Sequence, residues 1–208
     1  MKLKKKAKLI ILLISIIVIV IIGFMIFKNI FGKKETEGAR VINSIEDYGY
    51  TLKDNKDEKY KSMFDELKKV LEKDKVDYEK YAQIISEMFI YDFFSLDNKI
   101  AKNDIGGVDF IHPDALSNFL ENAESTYYKY VESNIYGNRN QKLPMVDEVK
   151  VGEIKTTEFA VGDKNVDDAY EIEVEWTYTE EDFSDYQSSS KLVIVRDGKK
   201  LQIVELTK

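Results

Sequence analysis

Residues 169–179 read AYEIEVEWTYT, with Tyr170, Ile172, Val174, Trp176 and Tyr178 alternating with Glu171, Glu173 and Glu175. Successive strand side chains point to opposite faces, so this stretch predicts a β-strand with one apolar and one wet face. Toward the C-terminus, Asp197-Gly198 separates two apolar runs. It is a two-residue hairpin signal and predicts Ile194 opposite Leu201 and Leu192 opposite Ile203. Toward the N-terminus, residues 146–159 form another strand whose phase slips: Val149 and Val151 point one way, and Ile154 then takes the place expected for residue 153. Gly152 at the slip predicts a bulge that bends the strand. After Pro144 the chain therefore reads as a four-strand antiparallel meander.

Before Pro144 the period is helical. Over residues 57–73, Tyr60, Met63, Phe64, Leu67, Val70 and Leu71 recur at spacings of three and four, one stripe of an amphipathic helix. Its opposite face offers the pairs Asp57 with Lys61 and Asp65 with Lys69. Asp77 is an N-cap for a second helix carrying Tyr81, Ile84, Ile85, Met88 and Phe89 and ending near Leu96. Gly106-Gly107 reads as a turn, and Val108, Phe110 and His112 as a short strand. Pro113 suits the first turn of a third helix carrying Leu116, Phe119, Leu120, Ala123, Tyr127 and Val131. The fold class is α+β, three helices and a meander over residues 45–208.

Residues 9–27 carry no charge, and sixteen of the nineteen are Leu, Ile, Val or Phe. At roughly 1.5 Å per residue they reach about 28 Å, the thickness of a bilayer core. Their insertion free energy sums to about −5 to −10 kcal/mol. Phe24, Met25, Ile26 and Phe27 lead into Lys28, which is unlike a cleavage site, so the segment reads as an uncleaved single-pass transmembrane helix, a signal anchor. Lys2, Lys4, Lys5, Lys6 and Lys8 precede it and Lys28, Lys33, Lys34 and Arg40 follow. The bias places a basic tail, residues 1–8, in the cytoplasm and the domain outside the cell membrane, after a solvated stem at residues 28–44.

Five of the 31 Lys and Arg residues precede residue 28, whereas all 38 acids follow it, so the remainder carries 26 minus 38, or −12. That balance argues against a nucleic-acid partner. With no cysteine, disulfides, thiolate catalysis and cysteine-type zinc sites are excluded.

The element order resembles the nuclear-transport-factor-2-like cone, a fold that includes exterior domains of conjugation and type IV secretion machines. The stretches Tyr48-Gly49-Tyr50-Thr51-Leu52, Tyr91-Asp92-Phe93-Phe94-Ser95-Leu96-Asp97-Asn98-Lys99 and Asn103-Asp104-Ile105-Gly106-Gly107 resemble a group of uncharacterised membrane-anchored proteins of low-GC Gram-positive bacteria. That resemblance implies a cone-like domain at the cell envelope and transfers no catalytic residue.

Candidate chemistry is sparse. His112, the sole histidine, adjoins Pro113 at a corner where a turn or capping role outweighs catalysis. One histidine supports neither a Ser-His-Asp arrangement nor a paired-histidine metal motif. Asp163, Asn165 and Asp167 match the opening of a calcium loop. Asp168 stands where that loop needs Gly and Val174 where it needs Glu, so a solvated hairpin loop is the preferred reading. The row Glu171, Glu173 and Glu175 reads as a wet strand face rather than a cation site, one that lysines from neighbouring strands could neutralise. Among thirteen tyrosines, helical spacing assigns Tyr127 and Tyr130 or Val131 to the core and leaves Tyr128 and Tyr136 as candidates for an exposed protein or glycan contact surface, hydroxyl-tipped packing around the mouth of the cone being the preferred reading.

No cofactor is implied, and the sequence names no small ligand. The expected function is a membrane-anchored extracytoplasmic binding or assembly module with an envelope protein partner or self-association, the conjugation or secretion setting being what the resemblance implies. The alternative is a pocket enzyme or small-ligand carrier on the same fold; cation sensing through Asp163 to Asp167 is a third reading.

Overall fold

In the computed structural model, which describes residues 39–162 and 164–207, Glu171, Glu173 and Glu175 line one face of a strand whose other face buries Ile172, Val174 and Trp176. This strand, β4 (Lys164–Tyr178), lies between β3 (Val146–Val161) and β5 (Ser189–Asp197), and β6 (Lys200–Thr207) completes an antiparallel sheet in the order β3-β4-β5-β6. Lys155 and Lys150 stand opposite Glu171 and Glu175, and Lys191 opposite Glu173. Lys191 also pairs with Glu171 at 3.2 Å. The acidic row thus meets lysines from both neighbouring strands.

The slip in β3 is a bulge: Val151 faces Val174 and Ile154 faces Ile172, so three residues on β3 match two on β4. A Cβ at Gly152 would stand 3.1 Å from the Glu173 carbonyl oxygen, tighter than an ordinary contact, so a side chain there would make the two strands give by a few tenths of an ångström. The β5–β6 register differs from expectation by two residues, Ile194 pairing with Ile203 and Asp197 with Lys200. Of Asp197, Gly198 and Lys199 only Gly198 has positive φ, at 60°, so Asp197 remains in the strand and Gly198-Lys199 makes the turn, with glycine first as a II′ turn requires. A slip of two preserves the side-chain faces, and Leu192, Ile194, Leu201 and Ile203 are all buried.

One end of the expected wet face is dry. Beyond a register shift between Thr157 and Phe159, the tip of the β3–β4 hairpin brings Phe159, Val161 and Val166 against the buried Ala169, Val193 and Val195. This second cluster lies apart from the main core.

The main core forms between helices and sheet. α1 (Glu58–Leu71) buries Tyr60, Phe64, Leu67, Val70 and Leu71, the predicted stripe. Its surface pairs are not the expected ones. Asp57 caps the helix by accepting from the Tyr60 amide, while Lys61 pairs with Glu58. Among the described residues no ion pair joins Asp65 and Lys69. α2 (Tyr78–Phe94) starts at the N-cap Asp77 and buries 12 of its 17 residues, as befits a helix enclosed by α1 and the sheet. α3 (Pro113–Ser125) begins at the expected proline and stops six residues before Val131.

Residues 108–112 are not a strand: Val108–Phe110 is a 3-10 turn, followed by a single parallel bridge from Ile111 to Ile203. The stretch expected as stem contributes β1 (Val41–Ile45), which pairs with β2 (Tyr50–Lys53) around Gly49. Among the described residues no helix is long and apolar enough to cross a membrane. The expected anchor at residues 9–27 and the tail at 1–8 lie outside the described residues.

Candidate functional site

Among the described residues, a buried ionic centre and an apolar groove each combine polar or accessible groups with a defined geometry. The first lies near the C-terminus of α2. Asp92 accepts from Lys56 Nζ at 2.6 Å and Lys99 Nζ at 2.8 Å through Oδ1, and from the Gly107 amide at 2.9 Å through Oδ2. Its neighbours continue the network. Tyr91 donates to Asp57, and Tyr128 donates to the Phe93 carbonyl while accepting from the Gly106 amide.

The paired glycines are sterically required. A Cβ on Gly106 would lie 2.2 Å from the Asp92 carbonyl oxygen, and one on Gly107, whose φ is +73°, 2.5 Å from the Phe89 ring. Burial by itself would raise the Asp92 pKa, but the ammonium groups of Lys99 and Lys56 and their hydrogen bonds hold it well below the usual carboxylate range. Burial pulls Lys99 down despite Asp92, because one carboxylate is shared between two ammonium groups. Above the centre is a polar cleft of about 100 Å³ rimmed by Lys53, Asp104 and Asp109. Burial raises the Asp109 pKa, and Lys53, Lys200 and Lys56 oppose that rise. At about 30 Å³ per water, the cleft has room for only a few water molecules.

The second place is an apolar groove of about 270 Å³ between α3 and β6. Ile111, Ala115, Phe119 and Ala123 form one wall with Asn118 and Asn122 at its rim, Ile203 to Leu206 form the other, and Phe93 lies at its base. Below it the space between helices and sheet is filled by aromatic rings. Phe93 contacts Phe89, Phe94, Phe119, Tyr127 and Tyr128 at centroid distances of 4.9 to 5.7 Å, and Phe94 packs on Trp176 at 4.3 Å.

Along the upper part of β6 the outer edge is closed by side chains rather than by another strand. Tyr50 donates to the Leu201 carbonyl at 3.1 Å, and the Leu201 amide donates to the Tyr81 hydroxyl at 3.1 Å. The hydroxyls lie 2.7 Å apart. Because the Tyr50 proton is committed to Leu201, Tyr81 donates to Tyr50, and the ring of hydrogen bonds closes. Burial pushes the Tyr81 phenol up to about 12. The His112 amide then takes the Ile203 carbonyl at 2.9 Å.

His112 also caps α3, its Nδ1 accepting from the Asp114 amide at 3.2 Å, the role expected of it. Tyr128 requires correction. α3 ends at Ser125 and Thr126 leaves helical geometry, so the 3.6-residue phase is lost; Tyr128 turns inward at 0% exposure while Tyr130 is 72% exposed. Tyr127 is partly exposed and Val131 buried. Tyr136 is exposed, as expected, on a segment pinned by the Arg139 guanidinium to the carbonyls of Asp97, Lys99 and Glu132. It is not brought together with Tyr128.

Asn165 lies in β4 opposite Ala160, and Asp167 is exposed farther along the strand. Asp163 lies outside the described residues. Among the described residues no three acidic or histidine side chains converge as metal ligands.

The Asp92 centre and the groove were not predicted. The centre had a sequence signal, an acid and a lysine seven residues apart in apolar surroundings near Gly-Gly, whereas the groove had none. Compared with protein-family models, curated proteins and solved structures, the chain matches none.

Proposed function

We propose that the chain is a single-pass membrane protein whose residues 9–27 anchor an extracytoplasmic binding or assembly module of the bacterial cell envelope. The observation that carries this reading is the contrast between an aromatic-filled interior and an accessible groove beside the sheet edge. A pocket enzyme needs a cavity into which reactive groups converge. Here the single histidine caps a helix, and the buried carboxylate is occupied by two lysines and an amide. A binding module needs rigid scaffolding under an accessible surface, which this arrangement provides.

The α+β order of three helices and a bulged antiparallel sheet is compatible with the nuclear-transport-factor-2-like cone, and we extend the proposal to that fold and to an envelope assembly such as a conjugation or secretion machine. The anchor raises the local concentration of the domain near envelope partners. Crosslinking in intact cells tests the reading. It should give adducts heavier than the monomer, containing a second envelope protein or a second copy; monomer alone would overturn it.

A further inference from the structure

We propose that the groove between α3 and β6 binds an extended, basic peptide segment of a partner protein, which adds as a strand to the open end of β6. The proposal rests on the binding-module reading and deepens it by assigning the surface and the chemistry of the partner.

The edge of β6 changes character along its length. At Leu201 and Ile203 the outward main-chain groups are taken by Tyr50, Tyr81 and His112. Val204 is the extra residue where the register passes from Ile194–Ile203 to Val193–Glu205. Past it the ladder alternation turns the main chain of Glu205 to Val193 and that of Leu206 outward, where no hydrogen bond from the described residues meets it. A strand edge with unpaired amides and carbonyls is a template for another extended chain. Ile111 already makes one parallel bridge to Ile203, so the fold begins the augmentation that a guest would continue.

The groove suits side chains of an extended peptide better than a compact small molecule. Its volume, about 270 Å³, falls just below the range of roughly 300–1,000 Å³ usual for small-molecule sites. Its walls pair an edge strand with a helix, the arrangement in which peptide main chain supplies affinity and alternate side chains supply selectivity. Ala115, Phe119, Ala123 and Leu206 offer an apolar trough for those side chains.

Charge selects the guest. No lysine or arginine lines the groove, and Glu205, opposite Val193, turns to the other face of the sheet, where alternate side chains of an added strand would also lie and where it has no ion pair among the described residues. Asp114 and Glu121 flank Asn118 at i−4 and i+3 on α3, adding acidic charge along the rim. A second copy is disfavoured as occupant, because two-fold pairing of β6 would bring Glu205 toward its own equivalent in a domain already carrying −12 beyond residue 27. Lysine or arginine flanking alternate apolar residues complements both trough and rim.

The test uses the full chain in mild detergent and a displayed library of random nine-residue peptides. Selection should enrich sequences with alternating apolar residues and flanking Lys or Arg. A fluorescein-labelled peptide of the enriched sequence should bind at least tenfold more weakly to Glu205→Lys and to Asn122→Trp, an exposed rim change that leaves the core intact. N-methylation of alternate peptide amides should cause a similar loss by removing main-chain donors. Hydrogen exchange should show the peptide protecting the outward amide of Leu206. No enrichment over Asn122→Trp, selection of acidic sequences, or full binding after N-methylation at every alternate register would overturn the proposal. So would sedimentation showing a dimer dispersed by Asn122→Trp, since a second copy would then occupy the edge. If crosslinking in cells persists in Asn122→Trp while peptide binding to the wild type is absent, the groove assignment fails and the binding-module reading stands.

Discussion

Replacing Asp92 with Asn keeps the shape of the side chain and removes the charge that holds Lys56 and Lys99 together. Lys99 is 4% exposed and cannot reach water without local opening, whereas Lys56, at 22%, can turn outward. The variant therefore strands one buried ammonium group, a change that costs about 3–5 kcal/mol. Typical domain stabilities are only about 5–15 kcal/mol, so the loss should be a large share of the total. At about 2–4 °C per kcal/mol for a domain of this size, Tm should fall by roughly 6–20 °C. Trp176, the single tryptophan, is buried against Phe94 and reports unfolding of the domain by fluorescence in the detergent-solubilised full chain. Adding Lys99→Met to Asp92→Asn removes the stranded charge and should restore at least about 1 kcal/mol. A loss below about 1 kcal/mol for Asp92→Asn, or a double variant no better than the single one, would refute the view that charge pairing holds this corner.

The same centre sets an acid limit. Because the Asp92 pKa is depressed in the folded state, the unfolded chain binds more protons as pH falls, so its contribution is present above about pH 3.9 and is lost progressively below that. Urea midpoints between pH 6 and 2 should show a steeper acid decline in the wild type than in Asp92→Asn. Gly106→Ala forces a methyl to 2.2 Å from the Asp92 carbonyl oxygen and should destabilise by at least about 1–3 kcal/mol, measured as a shifted urea midpoint with an unchanged m-value. Tyr50→Phe leaves the Leu201 carbonyl without its donor, at a cost of about 1–3 kcal/mol. Faster amide exchange along β6 in that variant would show that the tyrosine pair seals the edge.

Elements whose side-chain period is long and unbroken were legible. The stripe of α1, the Asp77 cap, the proline at the start of α3, the alternation of β4 and the phase slip at Gly152 all express local geometry. Errors arose where a local rule ended sooner than its pattern. α3 terminates at Ser125 although apolar residues continue at helical spacing, and this misplaced Tyr128, whose hydroxyl is instead drawn inward by the Phe93 carbonyl and the Gly106 amide. The Asp197-Gly198 signal gave the correct hairpin but not its register, because only the glycine accepts positive φ. The dry patch around Val193 and Val195 depends on the far tip of another hairpin, a contact that no window of sequence contains. The groove is harder still: it exists because α3 stands off the final strand, and space between elements leaves no mark in residue periodicity.

Residues 48–52, 91–99 and 103–107 meet largely in the scaffold. Residues 91–99 supply Asp92, Lys99 and the carbonyl that holds Tyr128; residues 103–107 supply the glycines folded over them; residues 48–52 supply Tyr50, which seals β6. Each is constrained by burial, by a steric limit or by an otherwise unsatisfied backbone group. Their roles are those of construction, and a domain built on them could present a different surface. The residues that would select a partner lie elsewhere: Asn118, Asn122 and Glu205 satisfy no buried group and can change without disturbing the core. Domains built on the same centre should then diverge in what they bind through α3 and the last strand while the aspartate, its two lysines and the paired glycines stay as they are.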